Sequence, residues 1–102
     1  MKTVKITVIR RSVYADLIKQ YESPLTSPCL TRIGDVFYSL NGERPEGLCE
    51  IAWTETLAPF VKKLAEGGGS FYGEWMKDPF SAMVSCNDGF RPVSFLIETI
   101  DK

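Results

Sequence analysis

A chain of 102 residues, 44% hydrophobic and 25% charged, has the makeup of one globular domain with a modest core, which excludes a disordered or fibrous protein. A formal net charge of −1 and a pI near 5.4 exclude an overall basic field that would gather nucleic acid or acidic lipid. No apolar run approaches the roughly 18 residues of a membrane helix, and "MKTVKITVIRR" alternates where a secretion signal would be continuously apolar. A cytoplasmic protein with no membrane partner is therefore expected.

In chain order, "TVKITVIR" (Thr3 to Arg10) places Val4, Ile6 and Val8 on one face and Lys5, Thr7 and Ile9 on the other. That period of two predicts a strand. Ser12 is then suited to cap a helix running to about Glu22, with Val13, Leu17, Ile18 and Tyr21 on one stripe. The two prolines of "SPLTSPC" (Ser23 to Cys29) forbid regular structure. A short strand is predicted over Val36 to Leu40, entered and left by turns. Pro45 and Gly47 follow Asn41-Gly42 too closely for a returning strand.

From Cys49 to Glu66 the pattern is helical: Trp53, Leu57, Phe60, Val61 and Leu64 share a face, and Gly67 to Gly69 end the run. Pro59 removes a donor and crowds the preceding turn, so a kink or two short helices are expected. "SFYGEWMKDPF" (Ser70 to Phe80) reads as an aromatic-rich loop, followed by two antiparallel strands, "SAMVSC" and "PVSFLIETI", around a turn at Asn87, Asp88 and Gly89. The order β-α-β-α-β-β predicts one α+β domain spanning 1–102. Its small antiparallel sheet of about four strands carries the two helices on one face, with strand order and a curled, barrel-like closure left open.

There is no histidine. The usual general base at neutral pH and any Ser-His or Cys-His nucleophile pair are missing, which favours binding over turnover. The segment "SCNDGFRPVSF" (Ser85 to Phe95) is mostly turn chemistry: Asn87 and Asp88 bond their own backbone, and Pro92 holds Arg91 extended. Cys86 aligns with Ala82 and Val84, which makes it a small buried hydrophobe if that side is the core. The functional alternative sets Arg91 beside Cys86 as an anion site with an activated thiol.

The other two cysteines, Cys29 and Cys49, also lie in Pro/Gly-rich segments, "SPCL" and "PEGLCEIAW". Reduced thiols are the default. A metal ion on Cys29, Cys49 and Cys86 needs a fourth ligand from a carboxylate, a water or a second subunit, because no close Cys pair exists. Phe71, Tyr72, Trp75 and Phe80 read equally well as a satellite core or as the wall of a pocket or self-association surface. Lys2, Lys5, Arg10, Arg11 and Lys19 form the one basic region, opposed there only by Asp16.

Taken together, "VKITVIRR", "PC" before "GDVF", "PEGLCEIAW" and "DGFRPVSFLIE" resemble a family of small proteins from anaerobic bacteria and archaea that has no assigned activity. The similarity spans nearly the whole chain, and its most specific pieces are P-E-G-x-C and D-G-x-R-P-V. The resemblance implies that Cys29, Cys49, Cys86, Trp53, Asp88 and Arg91 occupy signature positions. Such relatives often carry adjacent cysteines where this chain has Ser85-Cys86, a departure that weakens a four-thiolate site. The G-D-x-F turn is also similar to one in small RNA-binding barrels, a motif too common to decide anything.

The leading expectation is a non-catalytic module that binds an unknown small ligand or protein in a pocket between the aromatic loop and the hairpin. Arg91, Trp75 and Tyr72 are its expected contacts, with Asp88 and Trp53 as further candidates. The alternative is a thiol or metal protein using Cys29, Cys49 and Cys86. A third reading is an RNA-binding module using Arg10, Arg11 and Lys19, disfavoured by the net charge; a homo-oligomer is compatible with all three.

Overall fold

The computed structural model describes residues 1–24 and 29–101. It contains β1 (Val4–Arg11), α1 (Ala15–Tyr21), β2 (Val36–Ser39), α2 (Glu50–Ala52), a π-helical segment (Trp53–Leu57), α3 (Ala58–Ala65), β3 (Ser81–Ser85) and β4 (Val93–Thr99). The expected α+β architecture is present. The strands form one antiparallel sheet in the order β2-β1-β4-β3, open at both sides among the described residues, so β2 and β3 are its edges and no barrel closes there.

Alternation sets the buried face. Val4, Ile6 and Val8 of β1 face the same side as Val93, Phe95 and Ile97 of β4, and all six are buried. A bulge at Ile9 interrupts the β1–β4 register between Val8 and Arg10. One extra residue shifts the parity, so Arg11, not Arg10, stands opposite the core-facing Val93. Residues 34 and 35 extend the other side of β1, with Gly34 N–H donating to the Val8 carbonyl and Val8 N–H to that of Asp35.

The helical run 50–65 covers the buried face. Leu57, Val61 and Leu64 are each 0% exposed, with Trp53 and Phe60 half-buried against the same core. Each such aliphatic side chain contributes about 1.5–3 kcal/mol by leaving water. The expected irregularity at Pro59 takes the form of a π-helical segment immediately before it. Pro59 has no N–H to give and crowds the previous turn; wider winding satisfies the ladder, with Ala58 N–H bonding the Trp53 carbonyl five residues back. The run ends at Gly67, whose φ of 88° is open to glycine.

Helix α1 differs from the expectation in two ways. Ser12 is not its cap: the Ser12 N–H donates to the Pro92 carbonyl, and the cap residue is Tyr14, with no side-chain bond. The apolar stripe is not buried either; Val13, Leu17 and Tyr21 are exposed and Ile18 only half-buried, so α1 does not join the later helices on the buried face of the sheet. The segment Ser23 to Cys29 has no regular element where described, and residues 25–28 of it lie outside the described residues. Among the described residues no helix is long and apolar enough to cross a membrane.

Candidate functional site

The loop 86–92 between β3 and β4 is built by Asp88. Its Oδ1 accepts the N–H groups of Phe90 at 2.8 Å and Arg91 at 3.2 Å, the side-chain-to-backbone turn that the Asn-Asp-Gly sequence favours. The same loop is stitched to the exit of β1, because Tyr14 N–H donates to the Phe90 carbonyl and Ser12 N–H to that of Pro92. This places Arg91 against the end of α1, where its Nη1 donates to both carboxylate oxygens of Glu22, at 2.7 and 2.8 Å.

Across from Arg91 stands the turn leading into α2. Gly47 has a φ of 86° and passes so close to Phe37 that an added Cβ would touch the ring at 3.7 Å. Arg44 Nη1 clamps this turn through the Leu48 carbonyl at 2.8 Å. Cys49 follows directly and is exposed at the start of the helix. Asp35, entering β2, accepts the Arg32 N–H through Oδ2 at 3.0 Å.

These pieces enclose a cleft of about 330 Å³. Phe37 and Leu30 supply its apolar wall, Cys29 and Cys49 its thiols, and Asp35, Asp88 and Arg91 its charges. Asp35 Oδ1 and Asp88 Oδ2 accept no hydrogen bond among the described residues. With two carboxylates against one guanidinium, the lining favours a ligand with a cationic or hydrogen-bond-donating end.

Of the sequence-predicted residues, Arg91, Asp88, Cys29 and Cys49 meet here, although they come from three separate stretches of chain. Cys86 does not join them. It is half-buried against the core, and its Sγ accepts the Val93 N–H at 3.3 Å. The functional alternative of Arg91 paired with Cys86 is replaced by Arg91 paired with Glu22. Among the described residues no three Cys, Asp or Glu side chains are grouped so as to hold a metal ion.

Trp75 and Tyr72 do not share the cleft with Arg91, so a single pocket spanning aromatic loop and hairpin is not what forms. They line a separate open groove of about 600 Å³ with Phe60, Pro59 and Met83. Ser70 and Tyr72 both take left-handed φ values, 57° and 51°, an uncommon conformation for side-chain-bearing residues. The consequence is a split of the aromatics. Phe71 turns into the core beside Phe60, with ring centroids 5.1 Å apart, while Tyr72 turns out, 77% exposed, edge-on to Trp75 at 5.2 Å.

Trp53 lines neither space and serves the core. Arg10 and Lys19 are exposed near the exit of β1 and on α1, and Arg11 is half-buried. Sequence reasoning missed Glu22, Asp35, Phe37 and Gly47. Glu22 gives no local signal because its partner is 69 residues away, whereas the glycine of P-E-G-L-C was a visible cue to a close backbone approach.

Comparison of the chain with protein-family models, curated proteins and solved structures finds no match.

Proposed function

We propose that this protein is a non-catalytic binding domain of the cytoplasm that holds a small polar ligand in the cleft between β2, the 44–49 turn and the 86–92 loop. One observation carries the reading: chain-distant Asp35, Cys49, Asp88 and Arg91 converge on one half-enclosed space. Two carboxylate oxygens there lack partners among the described residues, so an amine or guanidine end is the favoured chemistry, with an apolar portion over Phe37. The resemblance to the small proteins of anaerobes rests on the PEGxC and DGxRPV segments, whose Gly47, Cys49, Asp88 and Arg91 line this cleft.

The test is an amide-resolved NMR titration with a panel of small amines, guanidines and amino acids. Binding at the cleft shifts the amides of Asp35, Gly47 and Asp88. Asp88→Asn keeps the turn-forming oxygen but removes the charge, and it weakens that binding at least about tenfold if a charge-assisted bond of roughly 1.5 kcal/mol is lost. Shifts that survive the double variant Asp35→Asn/Asp88→Asn count against the reading.

A second reading is favoured by the shared position of Cys29 and Cys49, both exposed and both lining the cleft. On this reading the pair undergoes thiol–disulfide exchange, reducing a small disulfide to two thiols as the Cys29–Cys49 bridge forms. Incubation with oxidised glutathione followed by peptide mapping distinguishes the two. An internal bridge supports thiol use; separate glutathione adducts on the two residues reject it.

A further inference from the structure

The geometry points to a second, independent interaction surface: the free edge of β3 and the groove beside it take an extended, positively charged peptide by strand addition.

The backbone makes the first half of the case. β3 pairs with β4 alone, and at the two ends of that ladder Thr99 N–H donates to the Phe80 carbonyl and Cys86 N–H to that of Val93. In an antiparallel ladder the residues so bonded recur at every second position. Between Phe80 and Cys86 those are Ala82 and Val84. Ser81, Met83 and Ser85 therefore direct their N–H and C=O groups away from the sheet. β3 carries no charge and no proline, and its register with β4 is unbroken; the loop residues Trp75 to Asp78 lie beside Ser81, so the open part of the edge is Met83 to Ser85.

The groove supplies the second half. It runs between this edge and the π-helical segment, lined by Glu55, Thr56 and Pro59 on the helix side and by Tyr72 and Trp75 from the loop. A strand added to β3 lies about 4.8 Å from it, over this groove, with every second side chain directed into it. Glu55 is the one charged residue of the lining among the described residues. The occupant is thus an extended chain presenting bulky apolar side chains to the aromatics and an arginine or lysine to Glu55.

A second copy of this protein fits less well. Pairing of two β3 strands would present only Ala82 and Val84 to a space of about 600 Å³, and "SAMVS" holds no cation for Glu55. Tyr72 and Trp75 stand exposed along the groove, at 77% and 43%.

The experiment uses the full chain, ¹⁵N-labelled, and a capped heptapeptide of sequence Thr-Phe-Thr-Arg-Thr-Val-Thr. Expected are shifts at Met83, Ser85 and the Trp75 indole, and slowed amide exchange at Met83 and Ser85. Exchanging the peptide's arginine for glutamate weakens binding at least tenfold, and a peptide with prolines at its threonine positions does not bind. In the protein, Ser85→Pro removes an outward N–H without touching the β4 ladder and abolishes binding, while Asp88→Asn in the separate cleft leaves it intact. Should Ser85→Pro fail to fold, Trp75→Ala on the exposed loop replaces it and weakens binding severalfold. The proposal is overturned if the β3 amides stay unmoved at millimolar peptide, or if the proline peptide binds as well. It is also overturned if the protein alone dimerises through β3.

Discussion

Arg91 and Glu22 form a two-oxygen ion pair across 69 residues of sequence, at 2.7 and 2.8 Å, with side chains only 25% and 15% exposed. It ties the loop 86–92 to the end of a helix that buries none of its own residues. For α1 this pair replaces the packing that other helices obtain from the core. Glu22→Gln and Arg91→Met are therefore expected to be coupled, by about 1–2 kcal/mol in a double-mutant cycle of denaturant unfolding. A coupling within the noise, about 0.3 kcal/mol, would show the pair to be incidental. Amide exchange of α1 should quicken in Glu22→Gln while that of β1 and β4 stays unchanged.

The cysteines are expected to separate by reactivity. Cys29 and Cys49 are exposed, whereas Cys86 is half-buried against the core and accepts the Val93 N–H. In the native protein a disulfide reagent should therefore label two thiols quickly and one slowly, and all three at one rate in denaturant. Mapping the slow thiol to Cys29 or Cys49 would contradict this arrangement.

The legible part of the molecule was the part governed by local periodicity. Val4, Ile6 and Val8 announce their strand, Leu57, Val61 and Leu64 their helix face, and Pro59 its irregularity, because burial there follows directly from spacing. Asp88 could be read as a turn builder for the same reason. The candidate cleft was only half legible. Arg91, Asp88, Cys29 and Cys49 stood out as residues, but their convergence depends on strand order and on a bulge at Ile9 that no pattern signals. The grouping of Arg91 with Trp75 failed because the aromatic loop enters β3 at Ser81 while the loop holding Arg91 leaves it after Ser85, at the other end of the strand. The stripe on α1 misled because apolar spacing predicts which residues share a face, not whether anything covers it.

Gly69 is expected to resist substitution for steric reasons. A Cβ there would lie 2.5 Å from the Pro79 carbonyl oxygen and 2.9 Å from the Phe80 ring. The adjacent Ser70 N–H donates to that same carbonyl at 2.7 Å, so the two segments cannot part without losing the bond. Gly69→Ala should cost about 1–3 kcal/mol, the usual range for overpacking. Gly73→Ala, where a Cβ meets nothing within 4 Å but φ is 72°, separates steric from conformational cost: it should destabilise by only about 1 kcal/mol.

Thr99 offers a test with the opposite sign. It is 4% exposed on the core-facing side of β4, and its hydroxyl is the one buried side-chain oxygen without a partner among the described residues. Its backbone N–H is already satisfied, donating to the Phe80 carbonyl at 3.1 Å. Valine has nearly the same shape and β-branching, so Thr99→Val keeps the packing and the strand preference while removing a desolvated polar group. A buried hydroxyl lacking a bond costs roughly 1–3 kcal/mol, and relief of even part of that should raise the melting temperature by several degrees in a domain of this size. Thr99→Ser leaves the hydroxyl in place and deletes a methyl group, so it should lower the melting temperature. If Thr99→Val instead destabilises the protein, the hydroxyl is bonded in solution, and the small cavity it shares with Lys2, Gly67 and Phe80 holds its partner.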